Sequence, residues 1–225
     1  MIKAVIFDLD DTLVSENDYI KSGYRHVSGL LAERYGVNLS KTKSELYELF
    51  LENNKNVFNR FMDRHNIAYV SEDILWLVNE YRNHKPDAEF YADVVPVLDE
   101  LKRKGIKTGI ISDGYLSTQR NKAEVLRLYE LFDKVIFTEE LGREYWKPHP
   151  GAFEMMKESL GVEFNEMVYV GDNPQKDFYI SKLLPIMTVR IVRTGSVYRT
   201  AEYYRGVGET VRIEALQDIL KINKG

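Results

Sequence analysis

The chain has 225 residues, 44% of them hydrophobic and 29% charged, so it can bury a substantial core and is too apolar for a disordered tail. Lys and Arg number 31 against 35 Asp and Glu, and the net charge of -4 argues against non-specific nucleic-acid binding, which needs a basic face. There is no cysteine, which excludes disulfides, a thiol nucleophile and cysteine-held metals; with only four histidines, any metal chemistry is expected to use oxygen ligands and a hard cation.

The first predicted element is an apolar run over 3–7, read as a strand buried on both faces. Asp8 stops it far short of a signal peptide or membrane span, and no apolar run elsewhere approaches spanning length, so a cytoplasmic protein without a membrane partner is expected. From about 16 to 87 there is no strand pattern. Three helical patterns take its place, at 17–35, 41–62 and 72–83, with joints at Gly36-Val37-Asn38 and Asn66-Ile67-Ala68. Strands and helices then alternate. A helix over 95–104 is closed by Gly105 and followed by a strand over 106–111. A helix over 119–131 precedes a strand over 134–137, and a helix over 151–160, closed by Gly161, precedes a strand over 167–170. A last strand covers 187–192. The fold class predicted is α/β: a Rossmann-like parallel sheet sandwiched by helices, built from 1–15 and 88–225, with an α-helical domain inserted at 16–87.

Polar residues collect where the predicted strands end, the edge at which open α/β sheets bind ligands. In Asp8-Leu9-Asp10-Asp11-Thr12, residues two apart on an extended segment face the same way, so Asp8 and Asp10 can share a site. Two close carboxylates need a cation or a shared proton, and they offer a nucleophile and a general acid/base. Ser112-Asp113-Gly114 can present a hydroxyl and backbone N–H groups to a phosphate. Lys147, stiffened by Pro148 and Pro150, is a fixed ammonium. Gly171-Asp172-Asn173-Pro174-Gln175-Lys176-Asp177 adds two carboxylates, with Asp172 a natural ligand for a hard divalent ion. Taken singly, the first segment reads equally well as a solvated turn, Ser112-Asp113-Gly114 reads first as an ordinary polar turn, and Lys147 reads first as a solvated lysine.

Together and in this order, Asp8-Leu9-Asp10-Asp11-Thr12-Leu13, Ile111-Ser112-Asp113-Gly114, Lys147-Pro148-His149-Pro150 and Gly171-Asp172-Asn173 with Asp177 resemble the haloacid dehalogenase superfamily of phosphohydrolases. The resemblance runs through nearly the whole chain, and the helical insert is similar to that family's cap. It implies a Mg²⁺-dependent phosphatase acting on a small phosphorylated metabolite, such as a sugar phosphate, through an aspartyl-phosphate. Asp8 would be the nucleophile and Asp10 the acid/base. Asp8, the backbone carbonyl of Asp10 and Asp172 would hold Mg²⁺, and Asp177 would support that site from behind. Ser112, with backbone groups of Leu9, Asp113 and Gly114, would bind phosphoryl oxygens, and Lys147 would balance charge on Asp8 and the phosphoryl group. Thr12 is expected to serve the turn and Asp11 to stand outside the site. Position 113 is Asp where relatives often carry Asn, and Pro185 is expected to make a turn usually made by glycine.

Two rival chemistries share these residues. A phosphosugar mutase of the same fold would return the phosphoryl group to its substrate, and a 2-haloacid dehalogenase would need neither Asp10 nor Mg²⁺. Asn17, Tyr19, Tyr24, Arg25, Arg60 and His65 of the insert are candidates for contacting the leaving group or are ordinary packing and surface residues. Arg193, Thr194, Gly195, Tyr198 and Arg199 either line an entrance or form a solvated loop. The expected partner is a small phosphorylated molecule, with no nucleic acid, and the chain is expected to act as a monomer or homodimer.

Overall fold

Residues 1–222 are described by a computed structural model. They divide into two compact units: Met1–Asn17 together with the chain from Ala88 onward, and Asp18–Asp87.

The first unit is built on one six-stranded sheet: β1 (Ala4–Phe7), β2 (Lys107–Ser112), β3 (Lys134–Phe137), β4 (Met167–Gly171), β5 (Met187–Ile191) and β6 (Val211–Ile213). The strand order is β3-β2-β1-β4-β5-β6, and every pair is parallel. The strands are apolar on both faces because both are covered. Val5 and Phe7 of β1 join one core with Ile110, Val168, Val170 and Val189, whereas Ala4 and Ile6 join the other with Ile111, Ile136, Met167 and Tyr169. Chain order runs from β1 outward to β3 and then resumes at β4 on the other side. The two halves part between β1 and β4, and there the carboxyl ends of the strands open a crevice.

Four helices make up the insert: α1 (Glu16–Tyr35), α2 (Leu39–Glu52), α3 (Val57–Arg64) and α4 (Ser71–Asn83). The Asp18–Asp87 unit has its own core, where Tyr24, Val27 and Leu31 meet Leu46, Leu49, Phe58, Phe61 and Leu77. The single helix predicted over 41–62 is two. Asn53 turns extended, its side chain accepts from the Lys55 N–H, and Asn56 is left-handed at φ 53°. Asparagine competes with the helix for backbone groups and tolerates that conformation, so the apolar spacing continues across a break.

The remaining helices are α5 (Val94–Arg103), α6 (Leu116–Leu126), α7 (Leu128–Leu131), α8 (Gly151–Leu160) and α9 (Ile180–Leu183). The helix predicted over 119–131 is also broken, at Arg127, which is left-handed at φ 55°. Pro185 lies in a tight turn in which the Ile186 N–H donates to the Leu184 carbonyl. Strand β6 and the 3-10 helix Leu216–Lys221 were not predicted; β6 is a three-residue edge strand, too short for a pattern. Among the described residues, no helix is long and apolar enough to cross a membrane.

Candidate active site

Asp8 follows β1 directly, and its N–H donates to the Val170 carbonyl at 2.8 Å, which extends the ladder with β4 by one residue. Ser112 ends β2 on one side of Asp8, and Asp172 follows β4 on the other. The sheet therefore brings three of the sequence motifs to one crevice.

The fourth arrives from the loop before α8. Lys147 Nζ lies 2.7 Å from Asp8 Oδ1, 2.9 Å from Asp177 Oδ1 and 2.8 Å from the Tyr169 hydroxyl, with its side chain wholly buried. Tyr169 accepts from Lys147 and donates to Asp177 at 3.1 Å, closing a ring of charge and hydrogen bonds. Burial opposes the charge on Lys147, but Asp177, Asp8 and Asp113 raise its pKa and hold it as an ammonium. Burial pushes Asp8 up to about 6 against the pull of Lys147.

Asp8, Asp172 and Asp177 form a buried acidic cluster, with one oxygen from each lying within 4.8 Å of the others. Burial and the charges of Asp177 and Asp8 push Asp172 well above the usual carboxylate range. Three carboxylates this close, with one ammonium among them, form a hard-oxygen donor set that fits a divalent cation. Asp177 belongs to this cluster by distance, but Oδ1 already faces Lys147 and Tyr169 and Oδ2 accepts from the Asn173 N–H at 2.9 Å. That leaves Asp8 and Asp172 as the freer donors. Gly171 makes the approach feasible, since a Cβ there would come 2.4 Å from Asp177 Oδ2.

Asp10 turns to other partners. Its carboxylate meets Lys122 Nζ at 2.5 Å and Gln119 Nε2 at 2.8 Å, both from α6. Burial works against ionisation, but Lys122 and Gln119 hold Asp10 below the usual carboxylate range. Gln119 also donates to Ser112 Oγ at 3.0 Å and to the Asp113 carbonyl at 2.8 Å, tying the first motif to the second. Sequence reading gave neither α6 residue a role. The available signal was that Gln119, Lys122, Ala123 and Leu126 share one face at helical spacing, so two polar residues occupy core-facing positions.

The other sequence candidates fall into place around this centre. Leu9 is buried in the core, so only its backbone is available to a ligand. Gly114 takes φ +132°, against the Gln119 amide. The Asp113 carboxylate is engaged by the protein on both oxygens; Oδ1 accepts from Thr138 Oγ1 at 2.8 Å and from the Lys147 N–H at 3.1 Å, and Oδ2 lies 3.3 Å from Lys176 Nζ. Asp11 stands aside at φ 52°, its two oxygens accepting from the N–H groups of Glu16 and Val197.

Thr12 serves the turn as expected, its N–H donating to the Leu9 carbonyl at 3.4 Å, while its own carbonyl accepts from Arg193 at 2.9 Å and its hydroxyl is buried without a partner among the described residues. One expectation needs correcting. Arg193 is not on a solvated loop. It is buried, donates twice to that Thr12 carbonyl and pairs with Asp93 at 2.7 Å. Further along, Ser196 Oγ donates to Asp172 Oδ2 at 2.8 Å, so this loop reaches the acidic cluster through a residue that sequence reading passed over. In the helical unit, Tyr19 and Tyr24 are core residues, Arg25 pairs with Asp87, Arg60 donates to the Leu49 and Asn53 carbonyls where α2 ends, and His65 faces Glu45.

The family model of haloacid dehalogenase-like hydrolases matches residues 5–191. The chain is similar to a glyceraldehyde 3-phosphate phosphatase of Methanocaldococcus jannaschii, at 31% identity over 86% of each chain. It is similar to pyrophosphatase PpaX of Bacillus cereus at 28% identity, over 76% of this chain and 75% of that one. Among solved structures it resembles a HAD phosphatase from Thermococcus onnurineus, with a TM-score of 0.61 and 27% identity over 97% of this chain and 98% of the other.

Proposed function

The chain belongs to the haloacid dehalogenase-like hydrolases, and from that premise we propose that it is a Mg²⁺-dependent phosphatase in which Asp8 is the nucleophile and Asp10 the acid/base. The observation that carries this reading is the position of Asp8, which faces Lys147 on one side and shares the acidic cluster with Asp172 on the other. An ammonium and a cation site beside one carboxylate let it approach an anionic phosphate that would otherwise be repelled.

The steps follow from the residues. An Asp8 oxygen forms a bond to phosphorus as the bond to the leaving oxygen breaks, and Asp10 gives that oxygen a proton. Asp10 then takes a proton from water, whose oxygen attacks phosphorus, releasing inorganic phosphate and Asp8. Lys122 and Gln119 hold Asp10 in the carboxylate form that the second half requires. An arriving anionic substrate places negative charge beside Asp10 and favours the protonated form that the first half requires. Asp8 and Asp172, with the Asp10 backbone carbonyl, would hold Mg²⁺, which when bound neutralises phosphoryl charge. Ser112, kept in place by Gln119, is set to receive phosphoryl oxygens together with backbone groups of Leu9, Asp113 and Gly114.

The proposed substrate is a small phosphorylated metabolite, a range that includes the triose phosphate and pyrophosphate named in its relatives. Asp10 and Asp172 favour hydrolysis of a phosphate over dehalogenation. A panel of phosphorylated metabolites and p-nitrophenyl phosphate tests the reading: phosphate release with Mg²⁺, abolished by EDTA, is expected. Isomerisation of a sugar phosphate that requires a bisphosphate activator, without net phosphate release, would point to a mutase instead.

A further inference from the structure

A lysine ammonium has three N–H donors and no acceptor. Those of Lys147 face Asp8, Asp177 and Tyr169 at 2.7–2.9 Å, and the side chain is wholly buried. To contact a phosphoryl oxygen, Lys147 would have to abandon one of these partners. A second ammonium stands nearby. Lys176 Nζ ion-pairs with Asp113 alone among the described residues, at 3.3 Å, and its side chain retains 27% of its exposure. The same Asp113 carboxylate accepts from the Lys147 N–H at 3.1 Å, so one buried carboxylate joins both lysines at the crevice, and the charge of Lys176 acts on Asp8 and Asp10 as well.

Lys176 is held there by its chain neighbours. Its N–H donates to the Asn173 carbonyl at 3.2 Å and the Asp177 N–H to the same carbonyl at 3.0 Å, so one turn carries Asp172, Lys176 and Asp177. The turn fixes the backbone from which these side chains project. We infer that Lys176 is a further substrate-binding residue, whose ammonium contacts the non-bridging oxygens of the phosphoryl group beside the positive charge that Lys147 keeps at Asp8. The inference rests on the proposal that the phosphoryl group is delivered to Asp8. Asp113 competes with that group for Lys176: in the free protein it holds the ammonium, and a bound phosphate takes it over.

Inorganic phosphate is the probe, titrated calorimetrically in Mg²⁺ against the wild type, Lys176→Met, Lys176→Arg and Asp113→Asn. Loss of a charge-assisted contact is expected to weaken phosphate binding by about 10-fold or more in Lys176→Met. Lys176→Arg keeps the charge and is expected to recover most of the affinity. Asp113→Asn keeps an Oδ1 acceptor for Thr138 and the Lys147 N–H, but removes the charge that holds Lys176, so it is expected to tighten phosphate binding. If Lys176 mattered only as the partner of Asp113, Lys176→Met and Asp113→Asn would weaken binding alike, and that result overturns the inference, as does wild-type affinity in Lys176→Met. A wild type that binds phosphate but hydrolyses no ester would count against the phosphatase reading, and the same titrations would still decide the role of Lys176.

Discussion

Lys147 Nζ and Asp8 Oδ1 are 2.7 Å apart, and neither side chain has appreciable contact with solvent. An ion pair this buried is worth little to the fold unless its remaining hydrogen-bonding groups are satisfied. Here Asp177 and Tyr169 satisfy them, so the pair is best understood as a device that fixes one carboxylate oxygen of Asp8 and leaves the other to react.

Tyr169 tests that device. Tyr169→Phe removes the oxygen shared by Lys147 and Asp177, leaving a buried ammonium one acceptor short. Urea unfolding is expected to show a loss of about 1–3 kcal/mol. Because the hydroxyl positions the reacting groups without touching substrate, kcat is expected to fall about 10-fold with KM nearly unchanged.

Lys122 controls the ionisation of Asp10. In Lys122→Met the carboxylate loses its cation while remaining largely buried, and the destabilisation is expected to reach about 3 kcal/mol. Lys122 lowers the Asp10 pKa, so its removal raises it. The limb of the kcat/KM profile that reports ionisation of Asp10 is therefore expected to move to higher pH.

Asp172 links cation binding to stability. Its carboxylate is pushed up by burial and by Asp177 and Asp8, so in the absence of a cation it is a source of repulsion. Metal-free Asp172→Asn is expected to melt a few °C above the metal-free wild type, a shift of about 1 kcal/mol. Added Mg²⁺ is expected to raise the melting temperature of the wild type and to leave that of Asp172→Asn unchanged.

Asp93 gives a stability effect away from the chemistry. Its carboxylate accepts from Arg193 at 2.7 Å and from the Leu216 N–H at 2.8 Å, joining the start of α5 to the C-terminal 3-10 helix. Burial opposes its charge, but these bonds hold its pKa below the usual carboxylate range. A lowered folded-state pKa means that the stabilisation is present above the unfolded value of about 3.9 and is lost as pH falls through the folded one. Asp93→Asn is expected to cost about 1–3 kcal/mol at neutral pH. The gap between variant and wild type is expected to close below the unfolded pKa, which unfolding curves at neutral and acid pH would measure.

The strands and the four polar motifs were legible because a strand buried on both faces has an apolar signature that ends abruptly where polar residues meet the crevice. Asp8, Ser112 and Asp172 were found in this way. Breaks such as Asn53–Asn56 and Arg127 were not, because the apolar spacing continues through them while a single backbone turns left-handed. The partners of the motif residues were harder still. Gln119 and Lys122 reach Asp10 from more than a hundred positions away, and Tyr169 looks like one more apolar strand residue until its hydroxyl is placed between Lys147 and Asp177. Lys176 lies inside the fourth motif, but nothing in the sequence marks it, because the donors left to Lys147 are countable only once its partners are in place.

The central claim is that Asp8 itself carries the phosphoryl group. The direct measurement is to quench steady-state turnover of p-nitrophenyl phosphate in acid, reduce with borohydride and identify the modified residue by peptide mass spectrometry. Reduction of an aspartyl-phosphate yields homoserine, and this account expects it at position 8 in the wild type, together with loss of turnover in Asp8→Asn. An unmodified Asp8 in an enzyme that is turning over, with phosphate release persisting in Asp8→Asn, would contradict it.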